Sequence, residues 1–204
     1  MSPCKDLIIL VPCKDIEKTI EGILGRPQAL GIRDIEFEII RHIHRDPGVY
    51  QTAHEILRNY TEEFNYALAI LDCEFGGSPS DPEEIVDHIQ KNLDLVGWKD
   101  RSAVIAINPE VEIWVWNDSP ILYTQIGAPL AEIHKIILEV NPSWWIPEQA
   151  KPVRPKEVLD EILRRNKLPR SSSLYGTLAE KVSLTKCTDG QFNRLRAILQ
   201  EWFP

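Results

Sequence analysis

The sequence predicts an α/β fold, with a mostly parallel β-sheet, flanking helices and a C-terminal helical extension. Three short, mainly apolar runs predict strands buried on both faces of such a sheet. These runs cover residues 7–11, 67–71 and 102–107. Between them, apolar residues recur at helical spacing, so the first half of the chain alternates strands with helices.

The elements between these strands follow from local signals. Asp15 can cap a first helix, because its carboxylate can accept the free amide protons of the first turn. Residues 35–40 alternate apolar side chains with glutamates, which predicts a half-exposed strand at or near a sheet edge. Helices are predicted over residues 50–63 and after a cap at Ser80 or Asp81.

Beyond residue 120, only helices are predicted. They cover residues 131–139, 155–166, 174–182 and 191–203. We therefore divide the chain into an α/β domain of residues 1–120 and a helical extension of residues 121–204, packed on the same core.

Composition limits the cellular setting and the partners. The net charge of −8 argues against a broad basic surface, although a local patch at residues 41–45 or 151–170 could still bind phosphates. We expect no membrane span and no signal peptide. Four scattered cysteines indicate reduced thiols in a cytoplasm. Cys13 and Cys73 are expected to be core residues rather than nucleophiles.

Topology predicts where chemistry would occur. Right-handed parallel connections bring all strand ends to one edge of the sheet, and α/β sheets bind ligands at that edge. The polar side chains expected there are Lys14, Asp15, residues 42–46, Asp72, Glu74 and residues 108–112.

Asp72 and Glu74 follow the central strand and are the first candidates for a metal site. Two carboxylates at a strand end can share one Mg²⁺ where the chain leaves the regular pleat. The alternative is that Asp72 caps a turn and Glu74 is solvated.

His42, His44 and Asp46 form a second group. Two imidazoles and a carboxylate would suit Zn²⁺, Mn²⁺ or iron. The alternative is a partly solvated pair beside Arg41 and Arg45, and a phosphate-binding role for His44 and Arg45 is favoured over metal ligation.

Two further pairs carry charge at this edge. Glu112 is expected in a partly buried site, where a carboxylate needs a cation or hydrogen-bond donors. Alternatively, Glu110 and Glu112 complement a helix dipole. Lys14 could neutralise a phosphate, and Asp15 could ligate a metal or simply cap the helix.

Three segments carry a resemblance to a known family. They are Leu71-Asp72-Cys73-Glu74, the stretch from Ile107 to Trp114, and the tail from Pro155 to Leu195. Together they resemble TOPRIM-like proteins of prokaryotes, relatives of the overcoming-lysogenisation-defect nucleases that are often found in phage-defence gene clusters.

This resemblance implies a Mg²⁺ site and phosphodiester cleavage or transfer. Such domains carry a Glu at the end of the first strand and an Asp-x-Asp pair at the end of the third. Asp72 and Glu74 match the pair, with Glu in the second place. Pro12-Cys13 stands where the first Glu is expected, so Asp15 or Glu17 would have to serve. This departure leaves a catalytically degenerate interaction subunit of a defence complex as the alternative.

We therefore expect a Mg²⁺- or Mn²⁺-dependent, nuclease-like protein of a bacterial anti-phage system, with nucleic acid or other defence proteins as partners. The expected metal ligands are Asp72, Glu74, Glu112 and Asp15. The expected catalytic residues are Asp72, Glu74, His44 and Lys14. Arg41 and Arg45 are expected to bind substrate.

Overall fold

The computed structural model describes residues 4–146 and 148–204 and contains a sheet of four parallel strands. They are β1 (Lys5–Val11), β2 (Phe37–Arg41), β3 (Phe64–Asp72) and β4 (Ser102–Ile107), in the order β2-β1-β3-β4. The predicted α/β fold class is confirmed, as is the edge position of β2. Residues 1–3, on which the expectation of no signal peptide partly rests, lie outside the described chain.

Helices connect the strands and fill the second half of the chain. Between the strands lie α1 (Lys14–Leu24), α2 (Pro27–Leu30), α3 (Arg45–Leu57) and α4 (Pro82–Leu93). After β4 come α5 (Glu112–Val115), α6 (Pro120–Ile126), α7 (Leu130–Val140), α8 (Pro155–Arg165), α9 (Ser172–Lys181) and α10 (Gly190–Trp202). In the described part of the chain, no helix combines the length and apolarity that a membrane crossing requires.

The start of α3 differs from the prediction, because the helix begins at Arg45 rather than near residue 50. Pro47 is tolerated there, since amides of the first helical turn have no partner within the helix. Gly48 is required by packing: a Cβ at that position would lie 2.1 Å from Nδ1 of His42. The early start brings Asp46 into the first turn of α3.

The sheet separates two apolar layers, because successive strand side chains point to opposite faces. On one face, strand residues such as Ile8 pack with α3 and α4. On the other, strand residues such as Ile9 pack with α1 and with helices α8 to α10. Gly22 lets α1 approach α9 closely, since a Cβ there would lie 2.7 Å from Cβ of Ala179.

The shared apolar layer makes a stability prediction. Leu199 of α10 is fully buried in the same layer as strand β1, so Leu199→Ala is expected to lower the free energy of unfolding of the whole chain by about 2–5 kcal/mol. Leu138→Ala is the matched control, because Leu138 is 61% exposed and its truncation should cost less than about 0.5 kcal/mol. Urea melts followed by circular dichroism measure both. Separate transitions for the two halves, with only one of them moved by Leu199→Ala, would contradict the shared core.

Candidate carboxylate site at the strand ends

The end of β3 is held by the segments that follow its neighbouring strands. The backbone N–H of Asp72 donates to Oδ1 of Asp46 at 3.0 Å. Oδ1 of Asp72 accepts the N–H of Val111 at 2.8 Å. The first turn of α3 and the loop after β4 therefore fix the position of the Asp72 carboxylate.

Asp72 and Asp46 form a pair of carboxylates at the centre of this edge. In the described part of the chain, neither has a Lys or Arg nitrogen within 4.0 Å. Burial, together with the charges of Asp46, Glu112 and Glu110, raises the pKa of Asp72 well above its usual range. Burial also raises the pKa of Asp46. Negative charge at this position is therefore unfavourable without a proton or a cation.

Glu110 and Glu112 are buried and take their cations from the helical extension. They are 6% and 2% exposed. The ammonium of Lys156 donates to Glu110, and the guanidinium of Arg170 donates to Glu112. The hydroxyl of Tyr175 donates to Oε1 of Glu112 at 2.7 Å. Burial, with the charges of Glu112 and Glu74, raises the pKa of Glu110 despite the opposing effect of Lys156.

Glu74 and Asp15 also contact the extension. Nη1 of Arg154 lies 3.0 Å from both carboxylate oxygens of the exposed Glu74. Asp15 accepts the hydroxyl of Ser172 at 2.5 Å and lies 3.7 Å from Nη2 of Arg170. The predicted helix cap at Asp15 is wrong. Helix α1 begins at Lys14, two residues before the start that a cap at Asp15 implies, and its N-cap position is occupied by Cys13.

Three of the four predicted metal ligands therefore face basic side chains, whereas Asp72 has no such partner among the residues that the structure describes. Within residues 4–146 and 148–204, no three His, Cys, Asp or Glu side chains are arranged to hold a metal ion.

The two histidines do not present paired imidazoles. His42 is 6% exposed, and its Nδ1 accepts the N–H of His44 at 3.0 Å. Its Nε2 lies 2.9 Å from Oγ1 of Thr52, whose hydroxyl donates to the carbonyl of Gly48. Both ring nitrogens of His42 are thus engaged within the chain. Burial, with the neighbouring His44, lowers the pKa of His42, whereas the His44 residue is exposed.

A cleft of about 520 Å³ lies beside the carboxylates, between the ends of β1 and β2. Its lining residues are Pro12, Cys13, Lys14, Asp15, Arg41, His42, Ile43 and Arg45. Nε of Arg41 is 2.8 Å from Oε2 of Glu17. Within the described ranges, Lys14 and Arg45 have no carboxylate oxygen within 4.0 Å. Lys14, Arg41 and Arg45, which were predicted to contact phosphate or substrate, therefore share one cleft, whereas His44 is not among its lining residues.

The two thiols at the strand ends are poor nucleophiles. Burial, with smaller contributions that include the charge of Asp72, raises the pKa of Cys13 to about 11 and that of Cys73 to about 12. Both are protonated at neutral pH, which supports their interpretation as packing residues.

The basic side chains that bind these carboxylates were not predicted to do so. Residues 151–170 stood out only as a candidate phosphate-binding patch, yet three cations from this segment pair with the carboxylates Glu74, Glu110 and Glu112. These cations are Arg154, Lys156 and Arg170. Their charge was visible in the sequence, but their partners were not.

Comparison of the chain with protein-family models, curated proteins and solved structures gives no significant match. The interpretation of the site therefore depends on its residues and their geometry.

The pair between Arg170 and Glu112 makes a second stability prediction. Arg170→Met leaves the buried carboxylate of Glu112 without its cation, so we expect a loss of about 3 kcal/mol in the free energy of unfolding. Arg164→Met is the matched control, because Arg164 is 70% exposed and pairs with Glu161 on its own helix. Its cost should stay below about 1 kcal/mol. Chemical denaturation of both variants measures these losses. Equal losses would show that the buried ion pair contributes no more to the free energy of unfolding than an exposed one.

The raised pKa of Asp72 predicts how the stability of the fold depends on pH. The unfolded group titrates near 3.8 and the folded group higher, so the folded state binds the additional proton between these values. The stability contributed by this group therefore falls as the pH rises through that interval. Asp72→Asn cannot ionise and can still accept from Val111. We expect it to melt at least about 2 °C above wild type at pH 7, a shift equivalent to about 0.5–1 kcal/mol.

The advantage of Asp72→Asn should disappear well below the unfolded-state pKa of 3.8, where the carboxyl group is protonated in both states. Calorimetric melts across this pH range provide the measurement, with Glu62→Gln as an exposed-carboxylate control. An Asp72→Asn variant that is less stable than wild type at pH 7 would show that the charge is favourable there.

Proposed function

We propose that this chain is a Mg²⁺- or Mn²⁺-dependent, nuclease-like protein that cleaves phosphodiesters in bacterial anti-phage defence. The observation that carries the proposal is the Asp72–Asp46 pair at the carboxyl edge of a parallel sheet. It has no basic partner in the described part of the chain and lies beside a basic cleft. Ligand sites of α/β sheets lie at this edge.

The donor chemistry of the pair fits a hard divalent cation. Mg²⁺ is commonly bound through one or two carboxylates, several waters and substrate phosphates, rather than by a complete cage of protein ligands. Asp72 and Asp46 would hold it. Bound there, the ion would supply Lewis-acid polarisation of a phosphoryl oxygen. Glu74, Glu112 and Asp15 would orient the arginines that they contact and could ligate only after releasing them.

Other residues of the chain have roles that need no change in the fold. Lys14 and Arg45 would bind a substrate phosphate, with Arg41 positioned by Glu17 behind them. His44, in the loop between β2 and α3, would accept a proton from the attacking water. Lys156, next to the carboxylates, would offset charge that develops in the transition state.

The resemblance to TOPRIM-like proteins supports the same proposal through Asp72 and Glu74. It adds nucleic acid as substrate, other defence proteins as partners and a cytoplasmic location. These assignments are parts of the proposal, and fold-level analogy alone would not establish them.

A second candidate function is a catalytically degenerate interaction subunit of a defence complex. It is favoured by the ion pairs that occupy the other strand-end carboxylates, and by Pro12-Cys13 at the position of the first-strand Glu. In this case the basic residues of the extension have a structural role, and the carboxylate edge binds no metal.

Metal binding separates the two candidates. If Asp72 and Asp46 hold a cation, millimolar Mg²⁺ or Mn²⁺ should raise the melting temperature of the wild type, since a ligand that binds only the folded state stabilises it. Asp72→Asn and Asp46→Asn should abolish the shift and reduce cleavage of plasmid or single-stranded substrates at least about 100-fold. Glu62→Gln, an exposed carboxylate distant in sequence from the strand ends, should retain both properties.

A folded wild type that neither gains stability from metal nor cleaves any nucleic acid would reject the enzyme in favour of the interaction subunit. Cleavage that persists in Asp72→Asn would locate the reaction elsewhere in the chain.

A further inference from the structure

The cleft between β1 and β2 carries positive charge on a chain whose net charge is −8. Its acidic residue, Asp15, is bound by Ser172 and lies near Arg170. The charge of Arg41 is offset by Glu17. The two cations that remain without a carboxylate partner in the described ranges are Lys14 and Arg45.

Arg45 is placed in the cleft by an unusual backbone. Its φ is 54°, in the left-handed region that costs a non-glycine residue about 1–2 kcal/mol. Backbone strain of this kind is found preferentially at functional sites. The next residue is Asp46 of the carboxylate pair, so the backbone connects the cleft directly to the proposed centre of cleavage.

The dimensions and the rim of the cleft suit a nucleotide. Its volume of about 520 Å³ falls within the range of about 300–1,000 Å³ that is typical of small-molecule sites. Ile43 precedes Arg45 by two residues, lines the same cleft and is 83% exposed. This side chain offers an apolar contact to a sugar or a base beside the two cations.

We propose that this cleft binds the terminal phosphate of a single-stranded nucleic acid, with Lys14 and Arg45 as its ligands and Ile43 against the terminal nucleoside. The polynucleotide part of this inference rests on the proposed function, whereas phosphate binding in the cleft requires neither metal nor cleavage. In this arrangement the cleft holds one end of the nucleic acid, and the rest of the polynucleotide leads towards Asp46 and Asp72.

Charge favours a terminal over an internal phosphate. A phosphomonoester carries about −1.5 to −2 charges near neutral pH, which matches two cations, whereas an internal phosphodiester carries one. The acidic remainder of the chain would repel a long polyanion, so a contact limited to one end is favoured over extended duplex binding.

The test is fluorescence anisotropy in EDTA with three short oligothymidylates that are labelled internally. One carries a 5′-phosphate, one a 3′-phosphate, and one has hydroxyl groups at both ends. One phosphorylated form should bind at least about fivefold more tightly than the unphosphorylated form, as expected for a gain of about 1 kcal/mol. Equal affinity for all three would overturn the proposal.

Substitutions locate the site. Lys14→Gln and Arg45→Asn should each weaken binding of the favoured oligonucleotide about fivefold. Asn is chosen because it tolerates the left-handed backbone. Lys99→Gln is the control, since Lys99 is exposed and precedes β4 at the opposite edge of the sheet. An equal loss of affinity in all three variants would show that only the net charge of the protein matters, and it would reject the cleft as the binding site.

Two further measurements test the contact of Ile43 with the terminal nucleoside and the preference for an oligonucleotide over a free nucleotide. Ile43→Ser should weaken oligonucleotide binding about threefold through the lost apolar contact, and unchanged affinity would overturn the assigned role of Ile43. Thymidine monophosphate should compete only weakly, and competition equal to that of the oligonucleotide would reassign the cleft to free nucleotides. Because EDTA removes divalent metal, a failure here is distinguishable from a failure of the cleavage proposal.

Discussion

The contact between the helical extension and Glu112 is the interaction on which the strand-end edge depends. A carboxylate that is 2% exposed is tolerated only with a cation and hydrogen-bond donors, because removing it from water is costly. Arg170 and Tyr175 supply both. The same guanidinium also contacts Asp160 and lies near Asp15. The docking of the extension and the neutralisation of the carboxylates at this edge therefore depend on the same contacts.

The parallel topology of the sheet is what brings these carboxylates together. Parallel strands connected by right-handed crossovers bring every strand end to one side of the sheet, and here several of these ends carry carboxylates. Basic residues of the extension pair with Glu74, Glu110 and Glu112. Within residues 4–146 and 148–204, Asp72 and Asp46 have no Lys or Arg nitrogen within 4.0 Å. One pair of carboxylates at this edge is therefore available to a cation, whereas the others form ion pairs that hold the extension in place.

Much of the fold was predictable, because strands and helices leave local patterns in the sequence. The apolar runs gave three strands, and the alternation in residues 35–40 gave the edge strand. The start of α3 was not predictable from Asp46-Pro47-Gly48, since these residues are equally typical of a turn. The close approach of Gly48 to the ring of His42, which leaves no room for a Cβ at position 48, is likewise a tertiary contact that the local sequence does not encode. The division of the chain near residue 120 stays a prediction.

The candidate site was predictable in its position but not in its partners. Topology alone brought Asp72, Glu74 and Glu112 to one edge. The ion pairs join residues 80 positions apart in the case of Glu74 with Arg154, and 58 apart in the case of Glu112 with Arg170. No local spacing encodes such contacts, so the basic residues of the extension could be recognised by charge but not assigned.

The amino-acid sequence by itself determined the α/β class, the parallel order of elements and the acidic character of the strand ends. Each of these follows from side-chain periodicity and from the handedness of the connections, which act over short stretches of chain. Only the tertiary structure decided which of the strand-end carboxylates pair with basic side chains of the extension. That outcome depends on where the extension docks, and docking brings together charges that are distant in sequence and excludes the water that would otherwise screen them.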